Sequence, residues 1–356
     1  MENIKKLQQQ LKKDTAAFIF GEANRAYFSG VFASDAVLLI TKSGAYYLTD
    51  SRYTEAISKK ADGFCVLAPR VHSDEIVRIL VEQNVKTLLA DLTYIPTSYF
   101  LSLGKKLEGN GIVLSHEYEL DGAVTAMRAE KNETEKEKIR LSQEITDKTF
   151  SYILPRITEG RTEREIALDM EFFARKNGSE GIAFDFIVVS GENSSLPHGV
   201  PTDRKIHKGD FITMDFGCKT EGYRSDMTRT VALGEVSDFQ RSVYETVLKA
   251  QKAALKVIKA GVTGAEADKA ARDVIAAAGY GEHFGHALGH GVGLEIHESP
   301  NLSPRNSAPL KVGNIVTVEP GIYLEGKFGV RIEDMVAVTD LGYDNFTKSN
   351  KELIIL

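Results

Sequence analysis

The sequence is poor in cysteine and has no long apolar run. Cys65 and Cys218 are its only cysteines in 356 residues, too few for a disulfide framework and without the spacing of a metal site. No apolar run approaches the ~18 residues that a membrane-spanning helix needs. Residues 1–13 form a charged stretch without the apolar core of a signal peptide. We therefore expect a cytoplasmic protein with no membrane span and no export.

Basic residues are outnumbered by acidic ones. The chain has 44 Lys and Arg against 50 Asp and Glu, a formal net charge of -6, which argues against a nucleic-acid-binding surface. No glycine-rich phosphate loop follows any strand predicted within residues 1–125, so a nucleotide fingerprint is missing there. A hydrophobic fraction of 42% is ordinary for a globular protein, and the length predicts two domains.

Strands and helices alternate in the pattern of residues 1–125, which predicts a small α/β domain. A charged segment over residues 128–138 follows and predicts a connecting helix with Asn132 as its N-cap. Later helices are predicted to begin with capping boxes at Thr162, Ser237 and Thr263. Since these helices flank predicted strand pairs, we expect residues 126–356 to form a curved sheet backed by helices, an α+β domain.

The segment Phe211–Val231 carries two aspartates in a pattern typical of a hairpin. Its first arm alternates, so one face takes Ile212, Met214 and Phe216 and the other takes Asp215. A polar turn follows, and the return arm carries Asp226. Two neighbouring carboxylates repel unless a positive charge lies between them. The pair alone leaves open that both aspartates simply face solvent.

Three further residues change that balance. His290, Glu319 and Glu333 each lie in an apolar, glycine-bounded segment, where a charged or imidazole side chain needs a reason to be. With the two aspartates they give four carboxylates and one imidazole, too acidic for a structural zinc site. Such a set suits a pair of divalent ions, Mn, Co, Zn or Fe, which can activate water and polarise a carbonyl.

The order of these motifs resembles the metallopeptidases of the pita-bread fold, family M24, and within them the proline-specific branch of prolidase and aminopeptidase P. The motifs are Asp, ten residues, Asp, then His in GHGVG, Glu in TVEPG and Glu in GVRIED. Residues 1–125 resemble the creatinase/prolidase-type N-terminal domain through Ala26–Gly30 and Leu48–Tyr53. The resemblance implies an α+β fold, with a pita-bread catalytic domain after a smaller α/β domain.

The resemblance also implies the metal ligands. Asp215 would bind one ion, His290 and Glu319 the other, and Asp226 and Glu333 both. Two divalent ions per subunit are implied, with Mn or Co favoured and Zn or Fe as alternatives. All five positions are filled, which counts against a non-catalytic relative that has lost its metals.

Catalytic roles are implied for Glu319, His297, His198 and His286, and substrate binding for Arg331, Tyr323, His198 and His286. His286 is expected one helical turn from His290. Arg331 is expected on the same strand as Glu333 and on the same face, at the edge of the metal site. An alternative is that Arg331 only pairs with a neighbouring carboxylate.

The expected function is hydrolysis of the bond before proline at the second position of a small peptide, by an Xaa-Pro dipeptidase. Xaa-Pro aminopeptidase is the alternative, because Asn301 and not arginine follows Glu298-Ser299-Pro300, and Arg305 comes four residues later. A peptide-binding scaffold without metals is a more distant alternative. The resemblance further implies a homodimer, in which residues 32–35 approach the partner's active site, and no nucleic-acid or membrane partner.

Overall fold

The computed structural model describes residues 2–356, and its chain divides into two units between Arg128 and Ala129. The first unit is a mixed sheet with helices. Its helices are α1 (Glu2–Gln10), α2 (Glu22–Ser29), α3 (Thr54–Ser58), α4 (His72–Glu82), α5 (Thr97–Glu108) and α6 (Glu119–Ala129). Its strands are β1 (Thr15–Ile19), β2 (Ala36–Thr41), β3 (Ala45–Thr49), β4 (Cys65–Leu67), β5 (Thr87–Ala90) and β6 (Val113–Leu114).

The six strands of this unit form one sheet in the order β4-β3-β2-β1-β5-β6. Strand β1 pairs antiparallel with β2 and parallel with β5. Both β1 and β2 are buried along their whole length, which explains why they are apolar runs and not alternating patterns. Their side chains pack with Ile76, Ile79 and Leu80 of α4 and with Leu103 and Leu107 of α5.

The second unit places four long helices against several short sheets. Its helices are α7 (Glu133–Ile153), α8 (Glu163–Lys176), α9 (Asp238–Val257) and α10 (Gly264–Ala277). Its first strands are β7 (Gly181–Ile182), β8 (Ile187–Ser190), β9 (Phe211–Phe216), β10 (Cys218–Thr220), β11 (Tyr223–Arg224) and β12 (Met227–Ala232). Its later strands are β13 (Gly289–Gly291), β14 (Glu298–Leu302), β15 (Ile315–Val318), β16 (Gly321–Leu324), β17 (Phe328–Arg331), β18 (Asp334–Val338) and β19 (Tyr343–Asn345).

Two of these sheets matter most for function. One has the order β12-β9-β8 and the other β14-β13-β15-β18-β19, while β16 and β17 form a separate pair. The helices begin where the sequence predicts: capping boxes are formed at Asn132, Thr162, Ser237 and Thr263. Among the described helices, none is both long and apolar enough to cross a lipid bilayer.

Candidate metal centre

Strands β9 and β12 bring the two aspartates toward one another. They pair antiparallel, with Asp215 opposite Thr228. The predicted alternation of β9 is confirmed, because Ile212, Met214 and Phe216 are fully buried in the core and Asp215 lines a cavity. The predicted hairpin is too simple, however. Asp226 lies one residue before β12, and the expected polar turn contains the short strands β10 and β11.

His290 lies at the centre of β13 between two glycines that cannot be replaced without clash. A Cβ atom on Gly289 would lie 2.0 Å from the carbonyl oxygen of Thr317, and one on Gly291 would lie 2.5 Å from that of Ser299. The neighbouring strands therefore approach the backbone of β13 so closely that only glycine, which has no Cβ atom, fits on either side of His290. The backbone N–H of Glu319 donates to Leu288, two residues before His290, which sets Glu319 beside this strand.

Four of the five predicted ligands, Asp226, His290, Glu319 and Glu333, lie close together, and Asp215 lines the same cavity. The Nε2 atom of His290 lies 3.5 Å from Oδ2 of Asp226 and 3.3 Å from Oε1 of Glu319. Ligand atoms of Asp226, His290 and Glu333 all lie within 4.8 Å of one another, so the chain has an acidic and imidazole group that can hold a metal ion. The Nδ1 atom of His290 is 3.1 Å from the carbonyl oxygen of Gly291, which leaves Nε2 to face the carboxylates.

The carboxylates fit a cation. Burial raises the pKa of Asp226 well above its ordinary value, and the nearby charge of Glu333 adds to the rise. Burial likewise raises the pKa of Glu333, together with the charges of Glu319 and Asp215. One buried oxygen each of Asp215, Asp226 and Glu333 has no hydrogen-bond partner in the described structure. Unpartnered buried oxygens are costly, and metal ions satisfy such oxygens, so this donor set suits divalent cations.

Glu319 differs from the other acids. Burial alone would raise its pKa, but its hydrogen bond with His290 and the charges around it lower that pKa to about 2. Conversely, burial would lower the pKa of His290, and the hydrogen bond with Glu319 raises it. Glu319 is therefore ionised at neutral pH and can accept a proton.

Arg331 is paired with Asp215 and is not on one strand with Glu333. Strand β17 ends at Arg331 and β18 begins at Asp334, so the expectation of a shared strand is wrong. The guanidinium is buried and donates from Nη2 to Oδ2 of Asp215 at 2.5 Å. The carboxylate of Glu333 instead accepts a 2.7 Å hydrogen bond from Thr228. The structure thus shows the carboxylate pairing that the sequence left as an alternative, although Arg331 also lines the cavity.

His286 is joined to Arg331 through Tyr323. The Tyr323 hydroxyl accepts from Nη1 of Arg331 at 2.9 Å and lies 2.9 Å from Nε2 of His286. Burial lowers the pKa of His286, which favours the neutral ring that accepts from the hydroxyl. The expected helix is wrong: residues 284–288 are not helical, and the short 3₁₀ turn ends at His283. At the end of this segment Leu288 accepts from the backbone N–H of Glu319, a long-range contact that local spacing does not reveal.

A cavity of about 620 Å³ opens onto the acids. His198, His286 and His297 all line it, and the His297 ring centroid is 4.4 Å from that of His290. Its apolar walls include Phe184, Phe186, Ile187, Pro197, Val200 and Ile296. Asn301 lines the cavity and Arg305 does not, which leaves Arg331 as the one guanidinium among its described lining residues.

Two threonines were missed by the sequence reasoning. Thr228 donates to Glu333 and accepts from Nε of Arg331, and Thr317 donates to Glu319 and accepts from the backbone N–H of His290. Thr228 lies two residues after Asp226, and Thr317 two residues before Glu319. The period-two alternation of a strand could have indicated both, since it places residues two apart on one face.

Known protein families match both units. The family described as Metallopeptidase family M24 matches residues 137–340, more than half of the chain. The chain belongs to metallopeptidase family M24. The domain family described as Creatinase/Prolidase N-terminal domain matches residues 3–129. The expected pita-bread fold with a creatinase/prolidase-type domain, and the expected enzyme class of metallopeptidase, are confirmed.

Full-length relatives carry names from the proline-specific branch of family M24. An Xaa-Pro dipeptidase from Pyrococcus horikoshii is 37% identical over 99% of each chain. The solved structure of an Xaa-Pro dipeptidase from Bacillus anthracis is 40% identical, with a TM-score of 0.92 over 100% of this chain and 98% of that one. The structure of an X-Pro aminopeptidase from Thermotoga maritima is 39% identical, with a TM-score of 0.91 over 98% of this chain and 100% of that one.

Proposed function

We propose that this member of family M24 is an Xaa-Pro dipeptidase that acts with two divalent metal ions, Mn or Co. The observation that carries the proposal is a cavity lined by Asp215, Asp226, His290 and Glu319, with Glu333 beside Asp226 and His290. Among these carboxylates, three buried oxygens lack partners in the described structure. The names of the full-length relatives support the choice of substrate.

The family resemblance implies how the ligands would divide between two ions. Asp215 would hold one ion, His290 and Glu319 would hold the other, and Asp226 and Glu333 would contribute to both. Such ions would activate water and polarise a carbonyl, which is hydrolytic chemistry. Arg331 offsets part of the negative charge at Asp215 and so orients that carboxylate.

The remaining site residues act on the substrate. The bond before proline has no amide hydrogen, so hydrolysis requires a proton to be delivered to the proline nitrogen. Glu319, ionised at neutral pH, takes a proton from the attacking water and passes it to that nitrogen. Burial lowers the pKa of His297, so its neutral ring N–H donates to the oxygen of the scissile carbonyl. His198 and His286 contact the peptide, with Tyr323 and Arg331 behind His286.

Xaa-Pro aminopeptidase is the second candidate, and a specific observation favours it. A dipeptidase has to bind the free carboxylate of proline, for which a cation is the strongest partner. Arg331 is the one guanidinium among the described residues of the cavity wall, and it is already paired with Asp215. Asn301 lines the cavity where an arginine follows the same motif in several prolidases. An open site of this kind suits a longer peptide.

The proposal includes a cytoplasmic homodimer in which the loop Phe32–Asp35 approaches the partner's site. The loop is braced within its own unit, because Nη2 of the buried Arg25 donates to the carbonyl oxygen of Ala33 at 2.6 Å. Phe32 is 43% exposed in the single chain, which leaves part of its side chain accessible to a partner subunit. Sedimentation of the protein and of a Phe32→Ala variant, with turnover of both, tests this part of the proposal.

The Glu319→Gln variant tests the catalytic assignment. We expect turnover of an Xaa-Pro dipeptide by the Mn-loaded protein to fall by at least about 10²-fold to 10⁴-fold, the usual contribution of a general acid and base. Glu325→Gln is the matched control, because Glu325 is exposed on the turn after β16. Metal content and circular dichroism are measured on each variant. Normal turnover by Glu319→Gln would end the assignment.

A further inference from the structure

A buried carboxylate outside the metal centre holds both ends of the His198 loop. Glu163 is the first residue of α8 and is fully buried. Its Oε1 accepts from the backbone N–H of Ser190 at 2.7 Å and from the Ser190 hydroxyl at 2.9 Å. Its Oε2 accepts from the backbone N–H of Thr202 at 3.0 Å and from the Thr202 hydroxyl at 2.6 Å. The side-chain amide of Asn193 donates to both oxygens.

These bonds enclose a functional segment. Ser190 is the last residue of β8, whose Ile187 lies opposite Asp215 in the sheet. Between Ser190 and Thr202 the chain makes a 3₁₀ turn, Gly191–Ser195, and then runs along the cavity wall with residues 197–201. One carboxylate therefore fastens the point where the loop leaves the sheet and the point where it returns to α8.

His198 depends on this fastening. Its imidazole is exposed in the cavity and has no hydrogen-bond partner among the described residues, so only the loop backbone fixes its place. In the middle of the loop the carbonyl oxygen of Pro197 accepts from Nη1 of Arg331 at 3.2 Å. The two ends are held by Glu163. The loop is also held at Ser194, whose hydroxyl accepts from the backbone N–H of Gly329 at 2.8 Å. Together these restraints present His198 to the substrate at low entropic cost.

Glu163 is buried without a direct cationic partner, which indicates that its carboxylate has a structural role as a hydrogen-bond acceptor. All five groups that donate to it are neutral, and the first turn of a helix favours a negative charge there. An apolar residue at this position would leave the backbone N–H groups of Ser190 and Thr202 without an acceptor. Helix initiation does not require Glu163, since the capping box of α8 is made by Thr162 and Glu165.

We infer that Glu163 is a positioning residue for the substrate, which acts by holding the 190–202 loop and so His198 against the cavity. The inference rests on the proposed function where it concerns turnover. Its structural part, that Glu163 holds the loop in place, does not depend on the substrate and can be tested without measuring turnover.

The Glu163→Gln variant tests the inference with little change of shape. In glutamine an NH₂ group replaces one of the two carboxylate oxygens. In either orientation this NH₂ faces the backbone N–H of Ser190 or of Thr202, and it cannot accept a hydrogen bond from that N–H. One end of the loop then loses one of its restraints, while the pairing of Ser190 with Ile212 and the bond from the Arg164 N–H to the Thr202 carbonyl remain. We expect KM for an Xaa-Pro dipeptide to rise about tenfold, equal to about 1.4 kcal/mol, with kcat nearly unchanged. Metal content should stay that of the wild type. Glu165→Gln is the matched control, an exposed glutamate in the same helical turn, and should leave KM unchanged.

A double-mutant cycle separates positioning from general destabilisation. If Glu163 acts through His198, the double variant Glu163→Gln, His198→Ala should have the KM of His198→Ala alone. Independent, additive effects would overturn the inference. Should Glu163→Gln not fold, Thr202→Val removes the hydroxyl that donates to Glu163 and accepts from the backbone N–H of Arg204. Its KM should rise about threefold, less than in Glu163→Gln, because the backbone N–H of Thr202 still donates to the carboxylate.

Hydrogen exchange provides a readout that needs no turnover. In Glu163→Gln, amides of residues 191–199 should exchange at least about tenfold faster than in the wild type, while those of Glu165→Gln do not change. Equal exchange in this loop would overturn the inference, whatever the substrate is. A wild-type protein that cleaves no Xaa-Pro peptide, with faster exchange in Glu163→Gln, would refute the proposed function and leave the hold of Glu163 on the loop intact.

Discussion

Replacement of Arg331 by methionine tests the charge balance of the metal centre. The buried guanidinium donates to Asp215, Tyr323, Thr228 and the carbonyl of Pro197. Burial would lower its pKa, but Tyr323 and Asp215 raise that pKa well above the ordinary value, so the group stays charged. Methionine retains most of the side-chain volume and removes only the charge and the donors.

The largest cost of Arg331→Met falls on Asp215. Thr228 keeps its bond to Glu333, and Tyr323 keeps His286, so both hydroxyls retain a partner. Asp215 already has one oxygen without a partner among the described residues and would lose the guanidinium with which it pairs. Removing one member of a buried ion pair costs about 3–5 kcal/mol, and we expect a loss of that size in protein stripped of divalent ions. Added Mn supplies positive charge at the same carboxylate, so the difference from wild type should shrink.

Equilibrium unfolding in urea, with EDTA or with Mn, measures this difference. Circular dichroism is the suitable probe because the chain contains no tryptophan. The control is Arg164→Met, which breaks the exposed pair of Arg164 and Asp203, whose side chains are 56% and 81% exposed. That change should cost under about 1 kcal/mol. A loss for Arg331→Met in EDTA no larger than that of the control would refute the reasoning.

Three further predictions concern other parts of the second unit. Burial raises the folded-state pKa of Asp226 and Glu333. The folded, ion-free protein therefore keeps protons on these carboxyl groups at pH values where the unfolded chain has released them, and the stability of the folded state falls as pH rises. Asp226→Asn should therefore gain in thermal midpoint relative to wild type between about pH 5 and about pH 8, and a constant difference would contradict this. Tyr323→Phe should lower the free energy of unfolding by about 1–3 kcal/mol, because Arg331 loses a buried acceptor; no change would count against that bond. Lys131→Met should lower it by at least about 1 kcal/mol in urea unfolding, since the buried carboxylate of Glu298 loses its 3.1 Å pairing with Lys131. A smaller loss would contradict the pairing.

Signals confined to a few neighbouring residues were predicted well. The predicted N-cap at Asn132 and the predicted capping boxes at Thr162, Ser237 and Thr263 depend on contacts between residues three apart, and all four are present. The alternation of β9 likewise follows from the geometry of a single strand. The fold class followed from the order of such elements together with the family resemblance.

Errors arose where contacts distant in sequence decide the backbone. Arg331 and Glu333 look like one strand, yet Glu333 lies in the link between β17 and β18, where its N–H donates to Thr228. His286 has helical spacing to His290, but residues 284–288 are not helical, and Leu288 accepts instead from the backbone N–H of Glu319. Glu163 gave no signal beyond that of a helix start, because its partners Ser190 and Thr202 lie 27 and 39 residues away.

The most direct test of the account compares two substrates of the Mn-loaded protein. One is an Xaa-Pro dipeptide, and the other is the same peptide extended at its C-terminus by Gly-Gly. The account predicts rapid hydrolysis of the dipeptide and little hydrolysis of the longer peptide. Efficient cleavage of the longer peptide would contradict the dipeptidase assignment and favour the aminopeptidase, and cleavage of neither would contradict Xaa-Pro hydrolysis itself.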